Sequence, residues 1–296
     1  MTNFERFRLV RFAAWLTAMF VLVALLWTAQ HARGDCFGAF ALQPGDGRTL
    51  SEADLRRPGV DGLTIRFRPQ WIGGPQKWDW SFVDASVARC RRTDDDYTLL
   101  LMGGATNPLA ESNLRYYEAA AAAIGARYGD DARCVGVHVT GGSPAGVSEE
   151  LHWRGRLSRG VIDANKRLIS AWARACPKQT ILLATGGSDT AAMLELNAHG
   201  LEVCGESRWL VKHNRMKAST QPGAQHNRLV VECGKRGAQV GWEMVGSATK
   251  ERDRFGGTLA QAYAIMDRLE SEAGKPRRQS YRAIYPPDLH LLGGLK

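Results

Sequence analysis

Carboxylate side chains that could perform acid–base or nucleophilic chemistry occur near the ends of two apolar segments. Glu243 lies near the end of Gln239–Val245, and Glu149 and Glu150 follow a Gly-, Ser- and Pro-rich stretch that begins after Val139. A pair of carboxyl groups can supply a general acid and a nucleophile or base when the fold holds them close together. We therefore take these three glutamates as the candidate catalytic residues.

The segments that carry the other candidates alternate between apolar and polar residues, as β-strands do. In Gly62–Trp71 the odd-numbered positions up to Phe67 are apolar, while Arg66 and Arg68 fall on the opposite face with Thr64. The same alternation in Cys134–Thr140 predicts that its apolar residues Val135, Val137 and Val139 face a helical layer. The polar positions between those valines then point toward a shared interior.

The remaining segments extend this pattern. In Gln239–Val245, Val240 and Trp242 are predicted to face helices, which sends Glu243 inward. Charged groups at one axis must pair or meet a ligand, since burying them alone is costly. A structural ion pair between Arg66 and Glu243 and a hydrogen-bonded core role for His138 stay open as alternatives. In Trp209–Asn214, Lys212 and Asn214 share one strand face and His213 has the other. The candidate substrate-binding residues are Arg66, Arg68, Trp71, His138, Thr140, Lys212, His213, Asn214 and Tyr285.

Eight predicted strands alternate with helical segments along the chain. This arrangement predicts an α/β fold, a (β/α)8 TIM barrel, with an open doubly wound sheet as the alternative. No GxGxxG or P-loop motif supports a nucleotide-binding sheet. The strands are predicted at Cys36–Leu42, Gly62–Trp71, Tyr97–Gly103, Cys134–Thr140, Gln179–Gly186, Trp209–Asn214, Gln239–Val245 and Ser280–Tyr285, and the helices between them include Thr190–Ala198, which Gly200 is predicted to terminate.

The first 34 residues have the composition of a signal peptide or membrane anchor. Three arginines precede an uncharged run, Phe12–Ala29, which at 18 residues just reaches spanning length. We expect residues 35–296 to form the barrel domain and to be exported to the periplasm or outside the cell. Residues 12–29 could hold that domain at the inner membrane, and we expect no other membrane contact.

Charge and cysteine content restrict the partners. The formal net charge is +9, of which +3 belongs to residues 1–34, and no basic run with interleaved aromatics suggests nucleic-acid binding. The six cysteines form no CxxC pair and no zinc spacing, so we expect no metal and no cofactor. Disulfides are plausible in an exported domain, although the sequence does not choose among pairings.

One segment resembles a known group of enzymes. Gln76–Asp84, QKWDWSFVD, is similar to the YDWSxxD turn of retaining (β/α)8-barrel glycoside hydrolases of the β-galactosidase-like and cellulase-like superfamily. The resemblance implies a nucleophile Glu at the end of strand 7, which Gly241-Trp242-Glu243 matches. It also implies an acid/base Glu after strand 4, and His213-Asn214 is partly similar to the His-x-Tyr of strand 6, with Arg215 at the tyrosine position.

The chain departs from that pattern at strand 4. The group has Asn-Glu directly at the strand end, whereas this sequence has Thr140-Gly141-Gly142, with Glu149 and Glu150 seven and eight residues beyond Gly142. We expect a carbohydrate-cleaving enzyme that uses two carboxylates, with retention of configuration. A non-catalytic carbohydrate-binding barrel is the alternative, and a barrel enzyme of other chemistry is the third hypothesis.

Overall fold

The structure is a computed structural model that describes residues 36–103, 107–141, 156–185, 189–216, 222–244, 257–276 and 279–295, and Trp15 alone before them. Eight parallel strands close into a barrel, so the predicted fold is confirmed. Each strand pairs with its neighbours in chain order, and β1 also pairs with β8. The strands are β1 Gly38–Leu42, β2 Gly62–Phe67, β3 Asp96–Leu101, β4 Cys134–His138, β5 Thr180–Thr185, β6 Trp209–Met216, β7 Gln239–Met244 and β8 Tyr281–Ile284.

Helices follow the strands and cover the outside of the barrel. They are α1 Glu52–Leu55, α2 Ser81–Thr93, α3 Glu111–Tyr128, α4 Arg159–Ala175, α5 Thr190–Cys204, α6 Pro222–Lys235 and α7 Leu259–Glu272. A helical turn at Pro69–Ile72, a short antiparallel ladder of Gly73–Gly74 with Lys77–Trp78, and 3-10 helices at Glu206–Arg208 and Pro286–Gly294 complete the described elements. Strand β2 therefore ends before the predicted Trp71, because the chain turns at Pro69.

Two apolar clusters separate the inside of the barrel from the helical layer. Leu63, Ile65 and Phe67 of β2 belong to the outer cluster, as alternation predicts, and Val240 and Trp242 of β7 do too. The smaller inner cluster is built by Cys36, Phe40, Leu42, Val135, Leu182, Leu210, Tyr281 and Ala283. The inward direction predicted for the intervening polar residues of β2 and β7 is therefore confirmed.

Strand β4 differs from the prediction at one residue. Its register with β3 shifts, so that Tyr97 pairs with Cys134 but Thr98 pairs with Gly136. The extra residue, Val135, packs in the inner cluster, whereas Val137 belongs to the outer one. The prediction that both valines share a face is wrong here, because a bulge changes the parity of a strand.

Helix α5 continues through Gly200 to Cys204, so the predicted end at Ala198 is wrong. Gly200 serves packing instead of termination. A Cβ built on Gly200 would lie 2.1 Å from the indole of Trp209, which is fully buried on β6. The small residue is needed for the close approach of α5 to the barrel.

Two other expectations concern the amino-terminal segment and the cysteines. Apart from Trp15, the predicted anchor Phe12–Ala29 lies outside the described residues. Among the residues that the structure does describe, no helix has the length and apolarity needed to cross a bilayer. Export and anchoring therefore stay predictions. All six cysteines are described as buried free thiols, so the expected disulfides are not formed in this structure.

Candidate active site

Glu243 lies near the carboxyl end of β7 and points into the barrel, where it forms an ion pair with Lys212 of β6. The two side chains are 2% and 0% exposed, so this pair is removed from water. Carboxyl ends of barrel strands are the positions from which (β/α)8 enzymes act on their substrates. The predicted alternative paired Glu243 with Arg66, and that pairing stays a prediction.

A hydrogen-bonded set of side chains crosses the interior next to this ion pair. The Tyr281 hydroxyl lies 2.6 Å from Thr64 Oγ1, and Thr98 Oγ1 donates to Thr64 Oγ1 at 3.0 Å. Thr98 Oγ1 also lies 3.4 Å from His138 Nε2. The ammonium group of Lys212 is 5.8 Å from the ring centroid of Tyr281. Strands β2, β3, β4, β6, β7 and β8 therefore meet in one polar layer.

This arrangement fixes the protonation state of His138. Thr98 Oγ1 and His138 Nε2 are within hydrogen-bond distance, and which of the two donates depends on the tautomer of the imidazole. Burial, and then the positive charges of Lys212 and Arg66, hold the pKa of His138 well below its usual value. The imidazole is thus neutral, and its buried Nδ1 has no hydrogen-bond partner among the residues that the structure describes. His138 therefore has the hydrogen bond expected of the core alternative, with its second ring nitrogen unpaired within the described part of the chain.

The two arginines of the β2 end meet the loop after β1 at Gly45. Arg68 Nε donates to the Gly45 carbonyl at 2.8 Å, and a Cβ built on Gly45 would lie 3.6 Å from the Arg66 guanidinium carbon. The Arg68 guanidinium also lies 6.0 Å from the ring centroid of Trp71, which packs against Phe82 at 4.9 Å. The structure therefore brings Arg66, Arg68 and Trp71 together on one side of the mouth.

The other predicted residues have different surroundings. Thr140 is buried, and its hydroxyl has no hydrogen-bond partner among the described residues. His213 is fully buried, and strand alternation gives it the outer parity of Val211, opposite to Lys212. Tyr285 is half-buried and packs against the inner cluster. Asn214 is part of β6, but its side chain lies outside the described residues, as do Glu149 and Glu150 entirely.

Sequence reasoning missed Thr64, Thr98 and Tyr281. Thr64 lies between Leu63 and Ile65, and the same alternation that selected Arg66 directs it inward. Thr98 lies within an almost continuous apolar run, in which no alternation of polar and apolar residues distinguishes the inner from the outer strand face. Among the described residues, no group of three or more His, Cys, Asp or Glu side chains could hold a metal ion.

The fold and the site define a (β/α)8 barrel with a polar layer in its interior, in which Glu243 lies near the carboxyl end of its strand. No family model and no curated protein matches the sequence. The barrel is similar to the catalytic domain of a β-amylase from Paenibacillus polymyxa, with a TM-score of 0.60 and 8% identity over 88% of this chain and 95% of that chain. It is also similar to a glycoside hydrolase family 5 enzyme from Prevotella bryantii, with a TM-score of 0.57 and 11% identity over 90% of this chain and 96% of that chain.

A third similar structure is a family 10 xylanase from Thermobacillus composti, with a TM-score of 0.52 and 12% identity over 85% of this chain and 83% of that chain. At such identities the likeness concerns the fold. The chain has a glycoside hydrolase-like (β/α)8 barrel, and the resemblance predicted from the sequence is confirmed at that level.

Proposed function

We propose that this protein is a glycoside hydrolase in which Glu243 is the carboxylate that faces the reacting sugar. The observation that carries the proposal is the position of Glu243, inward and near the carboxyl end of β7, beside the ammonium group of Lys212. Lys212 compensates the negative charge while no substrate is present, so the carboxylate can stay ionised although its side chain is almost completely buried.

The mechanism requires two carboxyl groups with different roles. One carboxylic acid donates a proton to the departing oxygen, and the carboxylate of Glu243 attacks the anomeric carbon from the opposite side. The glycosyl-enzyme is then released by a water molecule that returns a proton to the first group, which restores both residues. We assign the proton donor to Glu149 or Glu150, because they follow β4 and have no other role suggested by the sequence.

The substrate of this proposal is an oligo- or polysaccharide. Structures of the similar enzymes include a complex of the Prevotella protein with a xyloglucan tetradecasaccharide and a complex of a Thermobifida fusca endoglucanase with cellotetraose. The proposal includes export, because residues 12–29 have the composition of a signal or anchor segment. Fractionation of the producing cell, followed by amino-terminal sequencing, tests export and cleavage separately from activity.

A specific observation favours a second candidate, the non-catalytic carbohydrate-binding barrel. Glu243 is 1% exposed and already ion-paired, as a purely structural carboxylate would be. The two candidates differ in whether the charge of Glu243 is needed for bond cleavage or only for the integrity of the barrel.

The experiment uses Glu243→Gln, which keeps the shape of the side chain and removes its charge. The matched control is Glu270→Gln, because Glu270 is also fully buried and ion-paired, to Arg282 at 2.5 Å, but lies on α7. Reducing-sugar release from a panel of β-glucans, xylans, xyloglucan and starch is measured below the unfolding temperature of each variant. A catalytic Glu243 predicts a fall in kcat of at least about 1,000-fold in its variant, whereas the control retains activity in its folded fraction.

Trapping gives a second readout. Incubation with 2-deoxy-2-fluoro glycosides that carry a good leaving group should label the peptide containing Glu243, since the fluorine slows hydrolysis of the glycosyl-enzyme. A stable, fully active Glu243→Gln protein would refute the mechanism. Carbohydrate binding without turnover by the unchanged protein would instead support the binding barrel.

A further inference from the structure

Arg68 is held in a fixed position on the rim of the barrel. It follows Phe67, the last residue of β2, and its Nε donates to the Gly45 carbonyl at 2.8 Å. Its guanidinium group lies over Trp71, and Trp71 in turn packs against Phe82. These contacts orient the side chain before any ligand arrives, which lowers the entropy cost of using it in binding.

The same contacts leave the outer part of the guanidinium group available. In the described part of the chain, neither terminal nitrogen of Arg68 has a hydrogen bond or an ion pair, although the side chain is half-buried. Most described surface arginines differ in this respect; for example, Arg127 binds Asp84 through two nitrogens, at 3.0 and 2.6 Å. A guanidinium stays charged, and its two parallel N–H groups match an anion with paired oxygens.

Arg66 is a second cationic side chain on this side of the barrel mouth. Lys212 and Arg66 are close enough to His138 that their charges contribute to lowering its pKa. Arg66 and Arg68 both meet Gly45, so their guanidinium groups approach the same side of the mouth. Because Lys212 is already paired with Glu243, the charge available to an anionic substituent, and not to a neutral sugar, is that of Arg68 at the rim.

We infer that the substrate is an acidic glycan, in which a carboxylate or sulfate group on one sugar binds the terminal nitrogens of Arg68 while the chain passes over the Glu243–Lys212 pair. This inference rests on the proposed function and adds the substrate class to it. Trp71 then acts as the support that positions Arg68, because both Phe82 and the guanidinium group already contact its ring.

The test measures binding by the full chain. An array of neutral, uronate-containing and sulfated glycans identifies the strongest ligand of each class, and calorimetry gives the affinities for the unchanged protein, Arg68→Gln and Arg68→Lys. The matched control is Arg48→Gln, which also removes one positive charge near Gly45 but from an exposed arginine that binds Asp46. Thermal unfolding of each variant confirms that it is folded.

An acidic glycan is expected to bind best, and Arg68→Gln is expected to weaken that binding about 10- to 100-fold, the loss of a charge-assisted pair of hydrogen bonds. Affinity for neutral glycans should stay within about twofold, Arg68→Lys should be intermediate, and Arg48→Gln should retain the preference. The uronate and sulfate ligands show which anion the site takes.

Equal affinity for neutral and acidic glycans, or an acidic preference unaffected by Arg68→Gln, would overturn the inference. Release of reducing sugar from a neutral polysaccharide at full efficiency would do the same while leaving the proposed glycosidase intact. Absence of both binding and cleavage across all classes would overturn the proposed function as well.

Discussion

Lys212→Met is the substitution whose effect follows most directly from the structure. Methionine keeps much of the apolar stem of lysine and removes the ammonium group that is paired with Glu243. Because both side chains are almost completely buried, the carboxylate loses a cation in a place where water cannot replace it. Loss of one partner of a buried pair typically costs about 3–5 kcal/mol of unfolding free energy. For a domain of this size that corresponds to a melting temperature lower by about 6–20 °C.

The double variant Lys212→Met/Glu243→Gln separates charge from packing. With both charges removed, no uncompensated ion remains, and we expect most of the lost stability to return. Urea unfolding followed by tryptophan fluorescence gives the free energies of both single variants and the double variant. The control is Lys178→Met, whose ammonium group pairs with Asp130 while 68% exposed, and which should leave the unfolding midpoint unchanged.

Two results would show that this reasoning is incorrect. A Lys212→Met protein as stable as its parent would mean that the ion pair does not compensate Glu243. A double variant less stable than both single variants would mean that packing, and not charge, sets the cost. Either result would also remove the argument that Lys212 maintains the carboxylate for catalysis.

Three further predictions test other parts of the structure. Gly200→Ala should destabilise the protein by about 1–3 kcal/mol in the same urea assay, because the added Cβ would lie 2.1 Å from Trp209, although alanine has the better helix propensity. The control is Gly160→Ala, whose Cβ would have no neighbour closer than 4.0 Å and which should stabilise the protein by up to about 1 kcal/mol. The buried His138 has a lowered pKa, so below about pH 6.5 the unfolded state binds a proton that the folded state does not. The free energy of unfolding should therefore fall by about 1.4 kcal/mol per pH unit between pH 6 and 5, and His138→Gln should flatten that slope. The thiols are buried, and burial raises the pKa of Cys90, Cys176 and Cys233 to about 12. Dithionitrobenzoate should therefore detect no thiol in the native protein and six after denaturation. Fewer than six would indicate disulfides.

The inward directions of the polar residues on β2 and β7 could be predicted because those strands are regular. The inward direction of Val135 could not be predicted, since a bulge depends on how two strands pair and the alternation of valines is the same with or without it. Gly200 was misread for a related reason: a glycine that ends a helix and one that admits a neighbouring tryptophan look alike until the partner is known.

The pairing of Lys212 with Glu243 was beyond sequence reasoning for a geometric reason. Alternation decides whether a side chain points inward, but the stagger between strands decides at which height it enters the barrel. Lys212 satisfies the first condition, and the register of the adjacent strands β6 and β7 brings its ammonium group to Glu243. The layer of Thr64, Thr98 and Tyr281 depends on the same stagger across three strands.

The direction of β1 has a consequence for how a tethered barrel would meet a long polymer. Cys36 enters the barrel at the amino-terminal end of β1, and the chain end also returns there, since Gly38 and Leu295 line one small cavity of about 120 Å³. Anything attached through residues before Cys36 therefore joins the face opposite to Glu243 and Arg68. If residues 12–29 anchor the protein, the tether is attached at that face and does not cross the mouth that a long polymer would have to enter.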